Sequence, residues 1–374
     1  MFAKVATFEF RYQLRQPAFW VVAILFFLLG FGLIAAGENV SIAGGGNTNL
    51  NSPYSLALTH MVLAIFFMLA TTAIVANVVA RDATTGFGPM IQASRVSKFD
   101  YLYGRFTGAF AAVALCYSSV SLGTLIGTLM PWVDREMLGG FRLGDYLHAF
   151  LALGLPAVFL TSAIFFALAT VTRSMMATYV GVVAFFIVYL TLTSSLDRPE
   201  FRTILAWLEP FGLSAFSEAT RYWTPAERNT RIVPLEGVLL FNRLIWTLAG
   251  LAFLAAAYVL YRPATRGAKL GKQETLRVLA QKSQETVTVS PILAMPSHGL
   301  ASDWARLRKR TGFEMGLIFR SPAFAVLMVL GAFNAIGSLL FAGEIYGAPT
   351  LLVTRSVIGI LGGAFGLVSI IVAI

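Results

Sequence analysis

A chain of 374 residues that is 57% apolar and only 12% charged is not a set of soluble domains, which carry about 25% charged side chains. Its apolar residues gather in runs of about 20, the helix length that crosses a ~30 Å hydrocarbon layer, so the composition specifies an all-α, polytopic membrane protein. The net charge of +10 sits between those runs, where it sets topology rather than recruiting nucleic acid, and the single Cys116 leaves no intrachain disulfide or cysteine-based metal cluster.

Residues 2–16 predict an amphipathic helix. Phe2, Val5, Phe8 and Tyr12 recur at three- and four-residue steps, while Lys4, Glu9, Arg11 and Arg15 take other positions. Such a helix lies in the headgroup layer of the bilayer with its basic side chains toward anionic lipid. Pro17 then breaks the chain and opens a first span, about 18–36. That run has spanning length and no small-residue cleavage pattern, so it reads as a retained helix and not a signal peptide. A Gly- and Asn-rich loop without Lys or Arg follows, then span 2, about 54–80.

The interval from Arg81 to Arg105 is the polar stretch that looks built to meet a partner. It opens on Arg81-Asp82, relaxes through Thr85-Gly86 and Gly88-Pro89, and carries a short segment with Met90 and Ile91. Arg95, Lys98 and Arg105 close it. Spans 3 to 6 are expected at about 101–130, 147–171, 176–193 and 239–261, with only Thr172-Arg173-Ser174 between spans 4 and 5. The interval between spans 5 and 6 mixes aromatic residues with Pro and Arg. Trp207, Arg221, Trp223 and Glu227 are its markers, and they suit an external cap at headgroup depth. Beyond residue 262 a basic stretch interrupted by Pro291 and Pro296 reads as a linker, and two further apolar runs, about 322–342 and 351–374, follow.

Placing the N-terminus inside puts 19 of the 28 Lys and Arg residues on the inner segments, which sets the orientation with a cytoplasmic N-terminus. The chain also repeats. Phe8-Glu9, Arg15 and Pro17-Ala18-Phe19 recur as Phe313-Glu314, Arg320 and Pro322-Ala323-Phe324, all six at an offset of 305 residues and each set leading into an apolar run. The expected organisation is therefore a six-span unit over 1–262 with an N-terminal interfacial helix, a cytoplasmic linker over 263–304, and the first two spans of a second similar unit over 305–374. That second unit is incomplete, which reads as a fragment of a longer protein.

Motifs for chemistry are missing. The stretch Gly267–Lys272 lacks the spacing and hydroxyl of a phosphate-binding loop, and there is no H-E-x-x-H or G-x-S-x-G. His60, His148 and His298 are scattered, and Asn77 in span 2 suits an interhelical hydrogen bond or a pathway lining. The expectation is a non-enzymatic chain without a cofactor or metal of its own.

The basic N-terminal helix, the charged-pair-Thr-Gly loop running into Ala93-Ser94-Arg95-Val96-Ser97-Lys98, and the six spans together resemble the ABC-2 type transporter permeases. EPFGL at Glu209–Leu213, TRYWTPAERNT at Thr220–Thr230 and FNRLIW at Phe241–Trp246 resemble more narrowly the bacterial permeases of this family that carry a C-terminal M1 aminopeptidase-like domain, a domain absent from this sequence. The resemblance implies an inner-membrane exporter component whose first cytoplasmic loop docks on a separate ATP-binding subunit. It assigns the docking segment to Thr85–Asp100, centred on Met90, Ile91, Arg95 and Lys98. ATP would sit on that partner, and a second permease unit or a second copy of the chain would complete the pathway. The rival reading is a multi-span membrane anchor for a peptidase-like domain missing from this fragment.

Overall fold

The structure is a computed structural model that describes residues 1–36, 47–84, 96–195, 201–261 and 300–319, with isolated positions and one short strand pair beyond. The described part is helical, as the composition requires. Helix α1 (Phe2–Leu14) is followed by α2 (Pro17–Ala35), α3 (Pro53–Thr84) and α4 (Lys98–Gly127). Then come α5 (Leu143–His148) and α6 (Leu155–Thr172), joined by a π-helical segment at Ala149–Gly154. Helix α7 (Met175–Ser195) is followed by three short helices, α8 (Arg202–Leu208), α9 (Leu213–Ala219) and α10 (Pro225–Thr230). Helices α11 (Gly237–Leu260) and α12 (Leu300–Phe319) come next. Glu344–Ile345 pairs antiparallel with Ala348–Pro349.

Among the described residues, five helical stretches are long and apolar enough to cross a membrane: Pro17–Ala35, Pro53–Val79, Lys98–Gly127, Leu143–Thr172 and Gly237–Leu260. They coincide with expected spans 1, 2, 3, 4 and 6. The expected fifth span falls on α7, which is apolar over the shorter stretch Met175–Leu190. Helix α12 begins at Leu300, a few residues before the expected start of the second unit at 305.

Local sequence explains the breaks. Pro17 occupies the first position of α2, where its missing N–H costs nothing. Ser97 caps α4 by accepting from the Asp100 N–H at 3.0 Å while its own hydroxyl donates to the Asp100 carboxylate. Pro156 cannot donate to the carbonyl four residues back, and the π segment immediately before it absorbs that loss. The turn between α6 and α7 is made by Arg173 in the left-handed conformation (φ 52°).

Helix α3 is the most enclosed of the five spans, and its Phe67 and Met68 pack with Tyr117 of α4 and Phe166 of α6 in the central core. Helices α2 and α11 are the most exposed, as lipid-facing helices would be. Helix α4 organises the side carrying α1 and α2. It carries two small-residue pairs at four-residue spacing, Gly104/Gly108 against α1 and Gly123/Gly127 against α2. This close-approach pattern lets helix backbones touch within a membrane.

Candidate functional site

At the end of the bundle that carries α1, one carboxylate holds three helices. Glu9 points inward from α1 and is fully buried. Its Oε2 accepts from Arg81 Nη2 at 2.9 Å, in the last turn of α3, and from Arg105 Nη1 at 2.8 Å, in the third turn of α4. Its Oε1 accepts from Gln13 Nε2 at 2.8 Å, and Gln13 in turn reaches the Ile74 carbonyl of α3. The Arg81 guanidinium also lies 3.9 Å from the centre of the Tyr12 ring. A buried anion between the buried Arg105 and the half-buried Arg81 depends on both partners; deleting Glu9 or Arg105 strands a buried charge and costs about 3–5 kcal/mol.

The seat for this carboxylate is a glycine. A Cβ at Gly108 would collide with the Ala6 carbonyl and come within 2.9 Å of the Glu9 Cβ, so only glycine lets α1 settle deeply enough for Glu9 to reach Arg105. Arg81 and Arg105 flank the loop at both ends. Whatever the segment between them does, both of its anchors meet on the same side chain of α1.

The far anchor of that segment has a second fastening. Lys98 opens α4 with its ammonium 4.6 Å from the Tyr258 ring centre and 5.7 Å from that of Tyr261, both at the end of α11. Tyr258 stacks on Tyr103 at 5.7 Å, and the Arg173 guanidinium lies 6.0 Å from Tyr261. The start of α4 and the ends of α6 and α11 therefore meet where the chain re-enters the bundle.

Several expected site residues change character. Glu9, one of the charged residues set apart from the apolar positions of α1, faces the bundle and is buried, and Phe8 is 58% exposed. Glu9 lies on the α1 face that meets the Arg81 and Arg105 guanidinium groups and pairs with both. Arg15 is exposed, and Pro17 starts α2. Asp82 lies in the last turn of α3. Gly86, Met90, Ile91 and Arg95 fall outside the described residues. Lys98, read as part of a docking segment, is engaged with the α11 tyrosines. Arg105 was noted only as the loop's closing charge; the Gly104/Gly108 spacing beside it was the available signal.

The opposite end of the bundle is closed by the short helices, and here the three distinctive sequence motifs interlock. Glu209 is buried and accepts from the Phe211 N–H at 2.9 Å and the Ser214 N–H at 3.3 Å. Burial raises its pKa above the ordinary carboxylate range, only partly offset by those N–H groups, Arg243 and Tyr189. Asn242 donates its amide to three carbonyls, those of Ala206, Trp207 and Glu209. Arg243 donates to the Pro210 carbonyl at 3.1 Å and to Asn242. Gly212, at φ 83°, lies against the Arg243 guanidinium where a side chain would collide.

Thr224 and Glu227 form a reciprocal capping box at the start of α10, which holds the exposed Glu227 carboxyl below its usual range through the Thr224 N–H and hydroxyl. Asn229, at the end of that helix, accepts from the Asn49 N–H at 2.7 Å and donates to the Asn47 carbonyl, tying the cap to the loop between α2 and α3. Trp207 stacks on Phe241 at 5.5 Å, Arg231 lies 5.5 Å from the Trp223 ring, and Arg221 pairs loosely with Glu218 at 3.8 Å.

Between the two ends, His60 is a helix fastener. Its Nδ1 bonds the Leu56 carbonyl at 2.7 Å and its Nε2 bonds the Ser121 hydroxyl at 2.7 Å, while Tyr117 donates to the His60 carbonyl. Asn77 is half-buried in α3. Among the described residues no three His, Cys, Asp or Glu side chains converge as a metal site would require. Neither models of protein families nor curated protein sequences give a match to this chain.

Proposed function

We propose that the chain is the membrane-embedded permease component of an ABC-2 type exporter, driven through its first polar loop by a separate ATP-binding subunit. In this reading α7 crosses the membrane as a sixth span, the N-terminus is cytoplasmic, and α12 starts a second unit, since its positions 307–319 correspond to 2–14 at the repeat offset. The membrane is the bacterial inner membrane. The docking segment is Thr85–Asp100, centred on Met90, Ile91, Arg95 and Lys98, as the resemblance implies.

The observation that carries the proposal is the placement of Glu9. A partner pulling on the segment between Arg81 and Arg105 loads both anchors, and both meet at one carboxylate on α1. Force therefore passes to α1 and to α3 and α4 together, as a coupling element requires. The partner's binding free energy must differ between the two arrangements of these helices for ATP to move them. A simple membrane anchor has no need of such a junction.

The test is reconstitution with a candidate ATP-binding subunit. The chain alone should hydrolyse no ATP, and Ile91→Asp should abolish capture of the partner without altering the amount of folded chain. ATP hydrolysis by the chain alone, or undiminished capture by Ile91→Asp, would sink the reading.

A further inference from the structure

The buried orientation of Glu9 leaves the opposite side of α1 with a stripe of one sign. Lys4, Phe8, Arg11 and Arg15 fall at four-, three- and four-residue steps, which places them on one line of the helix about 16 Å long. All four are exposed. Glu9 is the only carboxylate in residues 1–36 and it faces away, so the stripe has no internal counter-charge. Among the described residues none of the three cations forms an ion pair. The stripe is also held in orientation, because the Glu9 clamp and the Gly108 seat fix the rotation of α1 about its axis.

We propose that this stripe is a binding site for the phosphate headgroups of anionic phospholipid. Two observations favour lipid over an acidic protein surface. Phe8 sits among the cations with its ring 58% exposed, an arrangement suited to the boundary between headgroups and acyl chains. The stripe also runs directly into the membrane face of α2. Trp20, 57% exposed, donates its indole N–H to the Leu14 carbonyl at 3.0 Å, and the exposed Val21, Ile24, Leu25 and Leu28 continue below it. A ring at the interface above an apolar helix face marks headgroup depth. The cations therefore stand where lipid phosphates are, and their long stems let them reach those phosphates without moving the helix.

The test is native mass spectrometry of the full chain in detergent, titrated with phosphatidylglycerol and separately with phosphatidylcholine. Wild type should retain phosphatidylglycerol in preference to phosphatidylcholine. Lys4→Gln, Arg11→Gln and Arg15→Gln together should weaken phosphatidylglycerol retention by about a hundredfold, and Arg11→Gln alone by about fivefold. The charge-conserving set Lys4→Arg, Arg11→Lys and Arg15→Lys should retain the lipid. Arg221→Gln, Arg228→Gln and Arg231→Gln together, an equal charge change at the opposite end, should leave retention within about twofold. Should the triple Gln variant fail to fold, Arg11→Gln decides the matter. Equal retention of the two lipids by wild type, an equal loss in both triple variants, or a stripe that captures an acidic protein while lipid retention is unchanged would each overturn the proposal.

Discussion

The two ends of the bundle are fastened by different chemistry. At the end that carries α1, the contacts are between side chains of separate helices: Glu9 with Arg81 and Arg105, Arg81 on Tyr12, Lys98 on Tyr258. At the opposite end, the cap is held by side chains that grip backbone, with Asn242 on three carbonyls and Glu209 on two N–H groups. Side chain to side chain contacts can be exchanged for others when helices shift, since both partners are mobile rotamers. Side chain to backbone contacts fix one register of one loop. The first arrangement suits a moving junction and the second a rigid lid, so motion is expected to enter at the α1 end and pivot against the cap.

That contrast can be broken from either side. The largest effect should come from Glu9→Ala, which leaves the buried Arg105 and the half-buried Arg81 without their anion. It should cost about 3–5 kcal/mol and expose the segment between α3 and α4 to protease, read as a lowered unfolding midpoint and faster nicking there. Asn242→Ala removes the donor of three carbonyls in the cap and should cost about 1–3 kcal/mol. Its signature is protease sensitivity in the cap alone, with the α1 end unchanged. Gly108→Leu should cost a similar ~1–3 kcal/mol by overpacking. It acts through α1, and a disulfide engineered between α1 and α4 should then no longer form.

Smaller changes sharpen the comparison. Thr224→Ala opens the capping box of α10 and should cost about 1 kcal/mol, confined to the cap. The cap should also respond to pH in an unusual sense. Burial holds Glu209 above its unfolded value, so the stability linked to it is fully present at low pH and is lost as pH rises through the raised value. Mild acid should therefore slow proteolysis of the cap relative to neutral pH, and Glu209→Gln should remove that difference.

Much of the architecture was legible from the sequence because long apolar runs admit little else. Five of the expected spans reappear within a few residues, and Pro17 and the Thr172–Ser174 turn mark breaks where they stand. The cap motifs were visible as unusual strings. Their mutual bonding was not, because Asn242 and Ala206 lie 36 residues apart and no local pattern joins them. The burial of Glu9 was not legible for a related reason. Periodicity gives Glu9 the value of a surface charge, and only the approach of Arg81 and Arg105, 72 and 96 residues away, makes burial favourable. The glycine pairs of α4 were a readable signal that charge counting passed over.

The central claim is that a pull on the loop reaches the helices through Glu9. It is tested most directly by pulsed electron paramagnetic resonance on the chain with the proposed ATP-binding partner, with labels at Thr7→Cys on α1 and Tyr222→Cys in the cap, in a Cys116→Ser background. Adding ATP should change the α1-to-cap distance in this chain, and Glu9→Gln should abolish that change while the partner remains bound. An ATP-driven distance change that persists undiminished in Glu9→Gln would contradict the account.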